Sequence, residues 1–495
     1  MKRIVILMAT VLLCSGVKAQ QPALKKAELR QDTPEKVSKD QSLSEKNTDG
    51  KETPKTKPAD AKHQHHKVRV TPYGFVRNYF TYDNRSTYYV IGGEYNMIPK
   101  DENWNMTEAE AAATGLERYD LNAVPTASFL AITTRIGLNL EGPEVWGAKT
   151  SGKIEGDFGG FSTTNSVFRI RQAFAKLNWK NEEERTNSEL LMGQTWHPLS
   201  GDIMPEVLGM AAGAPFRPHS RTPQVRYQFY QGDFGFTVSA LYQLQYMNQG
   251  PTYDGSKWSR TNSTEYANNA IMPEFFLGVN LKNQHIYAQL GADLQTIRPR
   301  TFGTVDNGGV TYKVPVNEKL TCLTPTLYFQ YTDGRFALKF RTLLAENTSH
   351  LNMLMSGYGV TGMNADGSWE YTALRNSTSY INFAYNIGKR KDIRLDLFFG
   401  YMKNLGLTDK GAQLADQNND GLADANYVYC KGNYTNINSI YRVAPSVSYN
   451  LKHFNVGLEY ELTGVNYGDL QLDGTVEGMR DVLGHRVCVL MKYNF

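Results

Sequence analysis

Arg77, Arg135, Arg169, Arg171, Arg226, Lys339, Arg341, Arg394 and Arg486, with Glu459 and Glu461, each stand in a run whose alternate residues are apolar. Successive side chains of a strand point to opposite faces, so such runs gather charge on one surface and hydrocarbon on the other. Parity adds the acids Glu155, Asp157, Glu274, Asp293 and Asp396 to the charged face. A planar guanidinium grips a carboxylate through two parallel hydrogen bonds, and a ladder of them facing water favours anions. Opposed acidic and basic walls would instead set a field across a narrow passage. The plainer alternative is that these charges pair with one another and stiffen a wall.

A second group surrounds the connection 198–221: Trp196, His197, Asp202, Glu206, Arg217, His219 and Arg221. This stretch is apolar, rich in Gly and Ala, and punctuated by Pro, whereas a loop in water would be more polar. It is expected to fold inward as a constriction loop, with these side chains near its narrowest point. The alternative is a loop that contacts another subunit.

A third group is Asp416-Gln-Asn418-Asn-Asp420-Gly421-Leu422-Ala-Asp424. Oxygen ligands at positions one, three, five and nine, with glycine at six, match the first part of a calcium loop. The bidentate Glu of position twelve is missing, because Tyr427 stands there. The expected site is Asp416, Asn418, Asp420, the Leu422 position and Asp424, holding Ca²⁺ to stiffen an external loop. A solvated polar turn is the alternative, and no cofactor is required. Catalytic signals are poor: His219-Ser220 lacks the Ser-x-Gly surroundings of barrel phospholipases, and no enzyme activity is expected.

The elements that must carry these residues are strands. Ile393, Leu395, Leu397, Phe399 and Tyr401 alternate with Arg394, Asp396 and Gly400, and Phe454, Val456, Leu458, Tyr460 and Leu462 alternate with Asn455, Glu459 and Glu461. Sixteen such segments are expected near 70–81, 128–140, 149–158, 166–179, 188–197, 222–230, 234–246, 272–282, 285–296, 318–331, 335–346, 376–387, 392–402, 439–450, 454–464 and 485–495. Short turns alternate with connections of twenty residues or more, so the long loops share one end. That pattern, ending on Phe495, describes an all-β transmembrane antiparallel barrel with short periplasmic turns and long extracellular loops.

Composition agrees. No run of about 18 apolar residues follows the N-terminal segment, which excludes helical spans. The mean hydropathy is −0.47, a value compatible with a barrel because only alternate residues meet lipid. Lys2 and Arg3, the apolar stretch 4–14, and Val17-Lys18-Ala19 read as a signal peptide, 1–19. Residues 20–67 are charged and polar with almost no large apolar side chain, so a disordered periplasmic arm is expected before a barrel domain at 68–495. The net charge of +4 is too small to argue for nucleic acid. An odd number of widely spaced cysteines in the mature chain is no disulfide framework.

Tyr73-Gly-Phe-Val-Arg77-Asn-Tyr-Phe-Thr-Tyr-Asp83 resembles the opening of the DcaP-like trimeric outer-membrane porins. So do Arg135-Ile-Gly137, Phe168-Arg-Ile-Arg171-Gln-Ala-Phe-Ala175 and Leu191-Met-Gly193-Gln194. The resemblance covers the first five strands, about a third of the mature chain. It implies a homotrimer in a Gram-negative outer membrane, passing small and often negatively charged solutes. The coiled-coil extension of that family needs heptads, and 20–67 shows none. The expected function is therefore passive diffusion of small hydrophilic solutes through a water-filled barrel, favouring anions and carboxylates. A barrel-anchored surface receptor or adhesin, and an outer-membrane barrel hydrolase, are the rival readings.

Overall fold

A computed structural model describes residues 68–90, 95–161, 166–200 and 213–495. The expected signal peptide (1–19) and arm (20–67) lie outside the described residues, as do Asp202 and Glu206. Sixteen antiparallel strands close on themselves. They are β1 (Arg69–Asp83), β2 (Thr126–Leu130 and Arg135–Val145), β3 (Ala148–Phe161), β4 (Ser166–Asn181), β5 (Thr186–Trp196), β6 (Arg221–Gln231), β7 (Phe234–Leu241) and β8 (Glu274–Lys282). The ring continues with β9 (Ile286–Ile297), β10 (Leu320–Thr332), β11 (Phe336–Glu346), β12 (Trp369–Ile387), β13 (Ile393–Leu407), β14 (Ile437–Asn450), β15 (Phe454–Leu470) and β16 (Val476–Asn494). Each pairs with its chain neighbours, and β1 pairs with β16 from Phe75↔Asn494 to Asp83↔Arg486. Gly74 and Phe495 exchange both backbone hydrogen bonds at 3.1 Å, which carries the seam to the last residue.

Each of the sixteen expected segments contains a strand and the expected parity holds, although the one expected at 234–246 ends at Leu241. Val487, Met491, Tyr493 and Phe495 are exposed on the outer face, while Arg486, Cys488 and Leu490 are buried on the inner one. The outer face of β8 is Phe275, Leu277 and Val279; its inner face includes Glu274, Phe276 and Asn280. Buried charge backed by exposed hydrocarbon reverses the order of a water-soluble sheet and requires lipid outside. No helix among the described residues is long and apolar enough to cross a membrane. The protein is a transmembrane β-barrel.

Two departures from the sequence pattern have physical causes. The single segment expected at 128–140 is two pieces, broken by a turn in which Thr134 N donates to Ala131 O at 3.1 Å. The turn directs the Thr133 hydroxyl inward, where it accepts from Arg77 Nε at 2.9 Å. Several strands also outrun the membrane. The stretch 465–484 is a continuous hairpin of β15 and β16, because Leu470 and Val476 pack with Leu374, Leu407, Leu414 and Val428 above the wall.

A β-carbon on Gly74 would lie 2.5 Å from the Arg135 carbonyl oxygen and 2.5 Å from Cζ of Phe495. Gly74→Val is therefore expected to lower the yield of folded barrel, read as the heat-modifiable band in unheated electrophoresis. A wild-type yield would show that the seam tolerates the side chain.

Candidate functional site: the barrel lumen

Beyond β5 the described residues 197–200 and 213–220 are buried, and the middle of the expected constriction loop lies outside the described residues. Phe216 is fully buried, its ring 6.0 Å from Phe398 and lodged against Gly400 of β13. Trp196, His197, Arg217, His219 and Arg221 come together: Trp196 meets His219 edge-on at 5.0 Å, and Arg221 lies over the Trp196 ring at 4.3 Å. Arg217 Nη2 donates to His219 Nδ1 at 2.8 Å. Burial, and then the Arg217 and Arg221 guanidiniums, hold the His219 imidazole well below its ordinary pKa of 6.5. It is neutral at pH 7, as an acceptor from arginine must be.

The fastener of this segment is a residue absent from the sequence-based group. Arg442 of β14 donates Nη1 to Ala214 O at 2.8 Å, Nη2 to Met97 O at 2.9 Å, and Nε to Thr463 Oγ1 at 2.8 Å. Met97 belongs to a hairpin, Thr87–Val90 with Tyr95–Pro99, that also folds inward: Met97 and Ile98 are buried, and Asn96 donates to Glu461 at 3.2 Å. One guanidinium thus ties two separate segments to the wall. Its position between Tyr441 and Val443 gave the parity needed to find it, but nothing gave its partners.

A third inward segment was unforeseen. The connection after β11, expected to be wholly external, begins with 347–356, whose residues are all buried. The apolar stretch Leu351-Asn-Met-Leu-Met355 was its signal. Leu351 O accepts from His219 N at 2.7 Å, and Asn376 of β12 donates to Leu354 O at 2.9 Å. Leu351, Met353, Leu354 and Met355 form one apolar cluster with Phe216, Leu343, Tyr380, Phe398 and Met402. The expectation of a lumen filled by water is corrected accordingly: three segments fill part of it with hydrocarbon.

The charged residues expected to line the lumen all lie on its inner face, but in two environments. Near the seam the cations keep contact with solvent while their acids do not. Glu155 is 4% exposed and accepts from Tyr73 Oη at 2.8 Å and Arg171 Nε at 3.0 Å, with Arg135, itself 19% exposed, at 3.5 Å. Asp157 is 0% exposed and accepts from Arg169 Nε at 2.7 Å; Arg169 is 17% exposed. Arg77, Arg135 and Lys492 surround the Phe75 ring at 5.0, 4.9 and 4.5 Å. Arg394 repeats the arrangement over Asp396 at 3.1 Å. By contrast Arg171, Arg226, Lys339, Arg341, Glu459, Glu461 and Arg486 are buried. They are enclosed groups, a correction to the expectation that they line open water.

His197, Glu274 and His350 place their ligand atoms within 4.8 Å of one another, the metal-type cluster found among the described residues. Both imidazoles reach Glu274 Oε1, at 2.7 and 3.2 Å. His197 Nδ1 accepts from Leu199 N at 3.1 Å, so a neutral ring carries its proton on Nε2 and donates it to Glu274. That tautomer has no lone pair for a metal, and the cluster pins 347–356 to β8. In the 416–424 loop, Asp416 accepts from Asp420 N at 3.2 Å and Gly421 N at 3.0 Å, and Asp420 from Leu422 N at 2.9 Å. Asp424 caps Asn426 N at 2.9 Å, and Asn418 is exposed. Ser220 Oγ, buried, has no hydrogen-bond partner among the described residues.

No family model and no curated protein matches the sequence. Among solved structures, the fold is similar to the outer membrane channel DcaP of Acinetobacter baumannii, at TM-score 0.56 and 16% identity, covering 86% of this chain and 97% of that one. Weaker similarities, at TM-score 0.44, are to an anion-selective porin from Comamonas acidovorans (12% identity; 87% and 100% covered) and to the trimer form of OmpT, an outer membrane protein of Vibrio cholerae (11%; 86% and 99%). The fold and its inner face define a transmembrane barrel of the porin type. Its particular version is one in which three inward segments, tied by Arg442 and by the His219–Leu351 backbone hydrogen bond, pack on the inner wall.

A side chain at Gly400 would meet the Phe216 ring at 2.4 Å. Gly400→Val is expected to displace Phe216 while sparing the wall, and so to raise single-channel conductance. Unchanged conductance in a folded variant would mean that this segment does not limit the passage.

Proposed function

We propose that the protein is an outer-membrane porin through which small hydrophilic solutes diffuse passively, with anions favoured. One observation carries the reading: on the wall formed by β16 and β1–β4, Arg135 and Arg169 touch solvent while the acids they pair with, Glu155 and Asp157, are buried beneath them. Glu141 of β2 is exposed and pairs with Arg69 at 3.5 Å, and Glu189 of the adjacent β5 pairs with Lys176 at 2.9 Å. A solute beside this wall meets positive potential, focused by low-dielectric surroundings. The guanidinium forks of Arg77 and Arg135 suit carboxylates.

A closed surface receptor is the second reading, favoured by the apolar cluster inside the lumen. A hydrolase is disfavoured, because His219 is engaged by Arg217 and no base among the described residues contacts Ser220 Oγ. A homotrimer belongs to the proposal through the sequence resemblance alone. So does calcium in the 416–424 loop through its ligand spacing, with the role of stiffening that loop; added calcium would then slow proteolysis there.

Planar-bilayer recording under a salt gradient tests the reading. Ohmic conductance with an anion-directed reversal potential is expected, and Arg77→Gln with Arg135→Gln should move the permeability ratio toward unity. Silence would favour the receptor, and a cation-directed potential would sink the anion preference.

A further inference from the structure

The guanidinium of Arg341, on β11, is 1% exposed, and neither Nε, Nη1 nor Nη2 makes a hydrogen bond to any described residue. It lies over the Tyr328 ring, 5.3 Å from the centroid. Its register partners on the flanking strands are Tyr328 and Tyr380, and the next inward positions are Thr326, Gln330, Thr378 and Asn382. None is acidic. Lys339, two residues away on the same face, is also buried but has partners of its own, so the charge left over is that of Arg341. Of the buried acids on the neighbouring strands, Asp396 is engaged by Arg394, Glu346 by Arg375, and Glu274 by His197 and His350, while Asp293 lies 3.8 Å from His197.

Burying a charge without a counter-charge is among the most costly arrangements a protein adopts. Arginine cannot escape by losing its proton. Its fork of donors in one plane is shaped for two oxygens of one group.

We infer that Arg341, between Tyr328 and Tyr380 and beside Lys339, is an enclosed binding site for a small oxyanion, of the carboxylate or phosphate class. The site stands across the lumen from the solvated wall of β16 and β1–β4. It is therefore separate from the proposed passage, and its existence does not require that the passage prefer anions. A bound oxyanion would neutralise the interior against which Tyr380, Phe398 and the 347–356 segment pack. Occupancy would then add to the stability of the barrel by mass action.

The test uses the full-length protein in detergent, with thermal unfolding followed as succinate or inorganic phosphate is titrated against chloride at constant ionic strength. Wild type is expected to show a saturable rise in Tm with at least one of the two, and which one identifies the anion. Arg341→Gln should abolish the rise and, by removing an uncompensated charge, unfold no earlier than wild type without ligand. Arg341→Lys keeps the charge but loses the fork, and should weaken apparent affinity by about tenfold or more; it decides the matter if Arg341→Gln fails to fold. Arg135→Gln should retain the response. A flat wild-type titration, or Arg341 variants that respond like wild type, would overturn the site. Reversal potentials, measured separately, report on the passage and not on this site.

Discussion

The hydrogen bonds between the first and last strands are the constraint on which everything else hangs. In lipid an unpaired strand edge exposes backbone groups with nothing to bond, so a sheet is stable there only when closed. The pair between Gly74 and Phe495 completes that closure. It also fixes register, and a slip of one residue would turn every inner side chain outward. In the register found, Arg77 faces Lys492 and Asp83 faces Arg486. Closure therefore places two cations side by side, a juxtaposition neither strand specifies alone, and a third, Arg135, joins them around Phe75 from β2.

A ring of sixteen strands encloses more space than the side chains of its own wall can fill. Here the surplus is taken up by chain folded inward. Each inward segment brings backbone groups out of water, and each must be satisfied inside. Arg442 answers that need for 213–220 and the 87–99 hairpin, and Asn376 does so for Leu354. These polar ties fix position, while the apolar cluster supplies most of the driving force. Where a buried acid serves as anchor, it is held by more than one donor, as Glu274 is by two imidazoles. Removing one partner from such a group leaves a buried charge and costs about 3–5 kcal/mol.

The wall was legible because period two is a local signal: each strand declares its own faces, and lipid outside enforces the alternation strictly. Phe495, Val489 and Arg486 each follow from parity. What lies against the inner face was legible only where composition was unusual, as around Ala214 and Phe216, with their neighbouring glycine and prolines. The segment 347–356 resembled an external loop because its Asn, Ser, Thr and His residues are polar; its backbone and side chains find partners on β8, β9 and β12 that no local pattern announces. Arg442 was missed for the same reason. Its role is defined by two carbonyls more than two hundred residues away.

Parity also could not separate enclosed charges from solvated ones, and that separation decides how much each charge weighs at the inner surface. Counted equally, inner acids and bases nearly cancel, and the net charge of +4 says little. They do not count equally. A solute interacts with charge through whatever dielectric lies between them, and an acid beneath an arginine is both farther away and already compensated. Glu155 and Asp157 sit at the base of their clusters because a compact carboxylate fits close to the backbone, whereas a guanidinium on three methylenes reaches past it toward water. Arg135 and Arg169 thus stand 19% and 17% exposed over acids at 4% and 0%, whereas Arg171, bonded to both acids, is itself enclosed. The polarity of the wall follows from side-chain length as much as from the number of charges.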